Sequence, residues 1–263
     1  MKKSNLWALT AALMCGLMTF SACSKDDDKD NPVKETVFMS HFFAVQLNPT
    51  TGDTLMTTMS ENTWEGGLLR KYHEEALVKK VGVKSQLDAT LTYSGNNCTE
   101  IKIIGALSGP TIKKFTYDAN GRITGATETS EGMELAVNIK SYTDDGHIKE
   151  IEYASNFILG NNSKRCYDLT WKDGNIVKYT IHFIEPAEED VTVEVDYDNY
   201  PSIYTGFPAA YYVLESPDVI CRRASKNNPI EKGKEYKYQN GRLVSNTFGT
   251  GSTHYVYTDG TGQ

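Results

Sequence analysis

The sequence has no Gly-x-Ser-x-Gly elbow, no phosphate-cradling loop and no dinucleotide fingerprint, so the common nucleophilic and nucleotide-dependent chemistries leave no local signature. It has no long basic stretch, and its 27 Lys and Arg are outnumbered by 34 Asp and Glu for a net charge of -7. Phosphate backbones are bound by clustered Lys and Arg, so nucleic acid is not an expected partner. None of the five histidines, His41, His73, His147, His182 and His254, stands at a metal-ligand spacing, and no metal or cofactor is expected. His73-Glu74-Glu75 is the most base-like cluster, and a solvated edge is the plainer reading of it. No apolar run is long enough to span a bilayer as a helix. At 39% hydrophobic, the chain is also too apolar for a disordered tail.

What is present in excess is tyrosine, 16 residues, and glycine, 21, in a chain of 263. Both suit strands joined by tight turns better than helices.

The first residues read as an export signal. Lys2 and Lys3 precede an apolar core from Leu6 to Phe20, followed by Phe20-Ser21-Ala22-Cys23. Small residues before a Cys at that point resemble a bacterial lipobox. That resemblance implies removal of residues 1–22 and acylation of Cys23, whose buried methylenes, at about 0.8 kcal/mol each, would hold the protein on a membrane. An ordinary secretory signal cut near Ala22 is the alternative. Ser24-Lys25-Asp26-Asp27-Asp28-Lys29-Asp30-Asn31 is a charged tether over residues 23–35. It resembles the signal that sends Bacteroidetes lipoproteins to the outer face of the outer membrane; the periplasmic face is the alternative destination.

The body, residues 36–263, repeats one form: an aromatic ends a strand, a polar turn with Asn-Gly or Asp-Gly follows, and an apolar residue opens the next strand. Phe115-Thr116-Tyr117-Asp118-Ala119-Asn120-Gly121-Arg122-Ile123 is the clearest copy, and Tyr236–Val244, Leu169–Val177, Tyr142–Ile148 and Thr63–Leu69 follow it. Asn-Gly and Asp-Gly tolerate positive φ and fit hairpin turns. Trp64, Tyr93, Tyr117, Tyr142, Trp171 and Tyr197 lie 29, 24, 25, 29 and 26 residues apart, room for two strands per unit. The gap from Tyr197 to Tyr238 is 41 residues, which predicts an insertion at about 200–235. Alternation supports strands: Met133, Leu135, Val137 and Ile139 share a face, with a bulge predicted at Lys140–Ser141 because Tyr142 falls out of phase. Val177, Tyr179, Ile181 and Phe183 form another face. The expected fold is all-β, an antiparallel meander of about 14–16 strands in a curled sheet or barrel. Two short helices are predicted, Lys71–Val78 and Phe207–Leu214, the second ended by Ser216-Pro217.

These hairpins resemble YD repeats. More closely, the lipoprotein start, the Tyr-Asp-x-x-Gly-Arg-Ile/Leu hairpins and Ser225-Lys226-Asn227-Asn228-Pro229 before the last hairpin resemble a family of Bacteroidetes surface lipoproteins with a porin-like β domain of unknown function. That resemblance implies a curled many-stranded sheet and no activity. A true transmembrane pore is not expected, because the strands carry charges too often for an outward apolar band.

Candidate sites are few. Tyr200, Tyr204, Tyr211 and Tyr212 lie in an aromatic-rich stretch that either offers a platform for sugar rings or plugs the curled sheet. Thr54, in Asp53-Thr54-Leu55, is similar to the O-glycosylation sites of exported Bacteroidetes proteins. Glu185, Glu188, Glu189 and Asp190 are either a weak calcium site or a solvated hairpin loop. Cys98, Cys166 and Cys221 remain after processing, as one disulfide and a thiol or as three buried thiols. No catalytic residue is assigned. The expected function is a surface lipoprotein that binds a glycan or a protein without chemistry. A structural envelope scaffold and a hydrolase built around His73 or His182 are the alternatives.

Overall fold

The structure is a computed structural model that describes residues 37–79, 81–106, 108–131, 133–157 and 163–258. The signal segment, Cys23 and the acidic tether lie outside these residues.

The chain folds as an antiparallel meander. The strands are β1 (Phe38–Leu47), β2 (Thr54–Glu65), β3 (Leu68–Val78), β4 (Val83–Ser94), β5 (Asn97–Gly105), β6 (Ser108–Tyr117), β7 (Ile123–Ser130), β8 (Met133–Tyr142), β9 (Ile148–Phe157), β10 (Ser163–Lys172), β11 (Asn175–Glu185) and β12 (Val191–Glu194). After an excursion come β15 (Lys234–Gln239), β16 (Arg242–Phe248) and β17 (Gly251–Thr258). β17 pairs with β1, so a 15-stranded sheet runs from edge β12 through β1 and β17 to edge β15. The excursion holds β13 (Tyr197–Pro201), a 3-10 turn (Ala209–Tyr211), the helix α1 (Pro217–Ala224) and β14 (Asn227–Pro229). β13 and β14 pair with each other as a separate ribbon.

Packing forces the sheet to curl. Trp64 on β2 meets Phe207 edge-on at 5.2 Å, and the Tyr153 hydroxyl on β9 donates to the Val213 carbonyl at 2.5 Å. In a flat sheet those two strands would stand about 34 Å apart at the usual spacing. Residues six apart in one short segment touch both, so the sheet wraps round that segment. The residues that wrap it are apolar at alternate positions: Leu69, Leu91, Ile101, Val137, Ile151 and Leu169 are all buried against it. Phe207, Ala210, Val213, Leu214, Ile220 and Cys221 are the plug's own buried side chains.

The sheet does not close into a barrel. The β13–β14 ribbon bridges its two ends, held to the β10–β11 turn by side-chain and backbone bonds and to β15 by side chains. On one side Asn175 Nδ2 donates to Asn227 Oδ1 at 2.9 Å and Lys226 N–H to the Gly174 carbonyl at 2.9 Å. On the other, Tyr200 stacks on Tyr238 at 4.0 Å. Asp198, on β13, ties the ribbon to β15, accepting from the Tyr238 hydroxyl at 2.7 Å and, within the ribbon, from Asn228 Nδ2 at 3.0 Å.

Tyr238 donates to Asp198, but the other seven repeated aromatics share one job. Each reaches back across its hairpin and donates to the carbonyl of the residue that opens the preceding unit. Trp64 donates to Met39 at 2.9 Å, Tyr93 to Leu69 at 2.7 Å, Tyr117 to Cys98 at 2.6 Å, and Tyr142 to Ile123. Trp171 donates to Ile148 at 2.6 Å, Tyr197 to Ile176 at 2.9 Å and Tyr257 to Leu243 at 2.5 Å. Arg70, Arg122 and Arg242 lie over the rings of Tyr93, Tyr142 and Tyr257 at 4.8, 4.8 and 5.4 Å. The Asp173-Gly174 and Asn240-Gly241 turns take positive φ at both central residues, as hairpins of that length require.

Three expectations need correction. Lys71–Val78 is strand β3, not a helix: its Glu, Lys and Ala favour helix, but a ladder on both sides, to β2 and β4, overrides that preference. Phe207–Leu214 holds only the 3-10 turn, and the helix begins where it was expected to end. Ser216-Pro217 is a helix start, with Ser at the cap and Pro in the first turn, where its missing N–H costs nothing. On β11 a register shift puts Ile176, rather than Val177, on the inner face with Tyr179. The bulge beside Ser141 is present.

Candidate functional site

The hairpin turns and the plug enclose two adjoining hollows. The larger, about 580 Å³, lies between the ribbon, the loop after β13 and the end of α1. The smaller, about 280 Å³, lies between the plug and the turns of β5–β10. Tyr212 and Ala224 line both.

Local sequence explains the larger hollow. Gly206 sits at φ +85°, and a Cβ there would lie 2.1 Å from the Phe38 ring. Only glycine lets the loop turn this close, and the turn lays Phe207 on Trp64 and Tyr204 edge-on to Phe207 at 5.4 Å. Ser202 N–H donates to the Lys226 carbonyl at 2.8 Å, and Ile203 N–H to Asn228 Oδ1 at 2.9 Å, which fixes the loop to β14. Arg223, from the last turn of α1, reaches the same place. Its Nη1 donates to the Tyr211 carbonyl at 3.0 Å, and its guanidinium lies over the Tyr211 ring at 4.6 Å.

Behind Arg223 the interior carries a charge network that an alternating strand pattern does not lead one to expect. Glu215 Oε1 lies 3.4 Å from Arg223 Nη1 and 3.4 Å from Lys113 Nζ, and Lys113 pairs with Glu128 at 3.2 Å. Lys113 and Glu128 face inward from β6 and β7 with 12% and 16% of their side-chain surface exposed. Burial alone would raise the Glu215 carboxyl, but Lys113 and Arg223 beside it hold it below the usual carboxylate range. Burial would likewise depress the Lys113 ammonium, and Glu215 and Glu128 outweigh that and raise it. Glu74, hydrogen-bonded by Tyr72, is raised by burial.

The four tyrosines proposed as a ligand surface separate. Tyr204 and Tyr212 line the larger hollow. Tyr200 is spent on the seam with Tyr238, and Tyr211 lies beneath Arg223 and edge-on to Tyr72 at 6.1 Å. Burial pushes the Tyr212 phenol up to about 12, so it stays neutral. Phe207, Asn199, Lys226 and Arg223 share the wall; the first two fall in the aromatic-rich stretch and Lys226 in Ser225-Lys226-Asn227-Asn228-Pro229, both marked out by the sequence, whereas Arg223 stood in neither.

Other candidates fall elsewhere. Thr54 opens β2, half-buried. The acidic stretch at 185–190 forms the exposed β11–β12 connection, where Asp190 accepts from His182 Nδ1 at 2.7 Å. His182 also lies 3.1 Å from Asp168, and these two contacts raise its pKa above the usual 6.5. His73 sits 2.7 Å from Asp88, on the outer face of β3. Neither His73 nor His182 is hydrogen-bonded by a hydroxyl or thiol among the described residues. His41 is, by Ser40 at 3.0 Å, but the Ser40 hydroxyl itself donates to the Val256 carbonyl at 3.1 Å. His147 stacks on Trp171 at 4.2 Å, with 37% of its side chain exposed. Cys98, Cys166 and Cys221 are buried free thiols, each pushed up to about 12 by burial first. Glu150, Cys166 and Asp168, side by side on the outer face, are the described donors that could meet on one metal ion. A metal there would have to displace the thiol proton that Glu150 now accepts. No helix among the described residues is long and apolar enough to cross a membrane.

Comparison with known protein families and with curated protein sequences finds no match to this chain.

Proposed function

We propose that the protein is a non-catalytic binding module, lipid-anchored through Cys23 to the outer face of an outer membrane, and that it takes a saccharide in the hollow beside Tyr204. The observation that carries the reading is the hollow of about 580 Å³, whose wall mixes aromatic rings with unspent polar groups. That volume falls in the range of small-ligand sites, whereas a protein partner would need a far larger flat contact. The hydroxyls of Tyr204 and Tyr212 have no hydrogen-bond partner among the described residues, so they are available to a polyhydroxylated ligand. The test is a glycan array probed with the purified protein and with Tyr204→Ala. Retention of a related set of glycans by the parent alone supports the reading, and no retention anywhere on the array refutes it.

A structural scaffold is the second reading, favoured by the seven aromatic donors spent on joining hairpins. A deletion strain with altered envelope architecture and no ligand phenotype would select it.

A further inference from the structure

We infer that the ligand is an anionic saccharide, a sugar ring carrying a carboxylate or a sulfate. This rests on the hollow being a ligand seat and adds the charge of what sits there. In a chain where acids outnumber bases 34 to 27, neither hollow is lined by a single Asp or Glu. The larger is lined by Arg223 and Lys226, the smaller by Arg122 and His147.

The two cations of the larger hollow are placed to receive an anion. Lys226 has no carboxylate within 4 Å among the described residues. Its stem is held in place: the backbone N–H bonds to the Gly174 carbonyl, and a Cβ added to Gly174 would come within 3.3 Å of the Lys226 Cβ. Among the described residues Arg223 bonds through Nη1, to Glu215 and Tyr211, which leaves Nε and Nη2 as an open N–H edge there. A planar guanidinium edge of that kind matches a carboxylate or sulfate in two parallel bonds. The nearest acids are engaged elsewhere: Asp198 on Asn228 and Tyr238, and Glu215 on Lys113 and Nη1. By contrast, Arg122 in the smaller hollow is clamped by Asp118 at 2.8 Å, which leaves that hollow nearly neutral. Around the cations stand Tyr204, whose ring lies 5.6 Å from the Arg223 guanidinium and whose hydroxyl has no partner among the described residues, and the amide of Asn199, for the sugar ring and its hydroxyls.

The experiment is biolayer interferometry of the full processed protein against immobilised polygalacturonate, dextran sulfate and dextran. These supply carboxylate, sulfate and neither. Binding to one acidic polymer at least tenfold tighter than to dextran is expected, weakening as salt is raised. Lys226→Ala should weaken it about tenfold, the size of one lost charge-assisted contact, and Lys226→Arg should restore it. Lys178→Ala, on an exposed strand position away from the hollow, should bind as the parent does. Equal binding to dextran, or an equal loss in Lys226→Ala and Lys178→Ala, overturns the inference while leaving the seat standing. No binding to any of the three polymers overturns the inference too, and the glycan array then decides whether the seat survives.

Discussion

Removing the hydroxyl from one periodic tyrosine should loosen the seam between two repeats and leave the ring where it is. Tyr93, Tyr117 and Tyr257 donate to the carbonyls of Leu69, Cys98 and Leu243 at 2.7, 2.6 and 2.5 Å. Phe at each position keeps the ring's packing and loses the bond. A net hydrogen bond contributes about 1 kcal/mol, and a carbonyl left dry costs about 1–3 kcal/mol. These tyrosines are half-buried, so water reaches part of the seam, and about 1–2 kcal/mol per substitution is expected. Tyr93 and Tyr117 sit two strands apart, about 10 Å, which is far enough for their effects to add. The triple variant should then lose about 3–6 kcal/mol, a large share of the roughly 5–15 kcal/mol that holds a domain together.

Urea unfolding followed by tryptophan fluorescence reads this directly, because Trp64 and Trp171 occupy two of the same positions. Tyr204→Phe and Tyr212→Phe are the controls: their hydroxyls have no partner among the described residues, and each should fall within about 0.5 kcal/mol of the parent. If the three seam variants cost no more than these controls, the periodic hydroxyls do not pin the repeats, and the account of why the pattern uses Tyr and Trp is wrong.

Three further outcomes follow from the same contacts. Glu215→Gln strands Lys113 and Arg223 inside the sheet and should cost about 3 kcal/mol, the low end for a broken buried pair because Glu215 is 31% exposed; a second change, Lys113→Met, should recover part of it in urea unfolding. Gly206→Ala forces a side chain into positive φ and onto Phe38, so a loss of at least about 2 kcal/mol is expected in the same assay, and an Ala variant as stable as the parent would contradict the close approach. His182 should titrate above 6.5 by NMR and fall back toward it in Asp190→Asn. Its folded value is raised, so its contribution to stability is full below 6.5 and is lost as pH rises through the folded value.

The fold was largely legible because its repeat is written in local chemistry. Aromatic, turn glycine and apolar opener recur at a spacing that allows only hairpins, and the bulge beside Ser141 could be placed from Tyr142 falling out of phase. What could not be read was anything decided by a distant partner. Lys71–Val78 looks helical until β2 and β4 are known to flank it. Ser216-Pro217 can end one helix or begin another, and the choice depends on Ile220 and Cys221 finding a core to fill. Val177 and Ile176 exchange faces through a register shift opposite Trp171. The hollow is the extreme case: Asn199, Tyr204, Arg223 and Lys226 meet only where the β13–β14 ribbon, the loop after it and the end of α1 are brought together.

That division explains why the abundant tyrosine is a poor guide to the ligand. An aromatic that pins a carbonyl one repeat back has spent its polar tip, and Tyr93, Tyr117 and Tyr257 have an arginine over the ring or a core beneath it as well. Tyr200 is spent on Tyr238 and Tyr211 on Arg223. The insertion is the part of the chain released from the repeat, and it is there that Tyr204 and Tyr212 keep hydroxyls with no partner among the described residues, beside two cations. A relative with the same hairpins but a different segment between β12 and β15 should therefore keep the sheet and change the ligand. Exchanging residues 199–227 between two such chains would test this: specificity should travel with the segment, and specificity that stayed with the strands would place the site on the sheet instead.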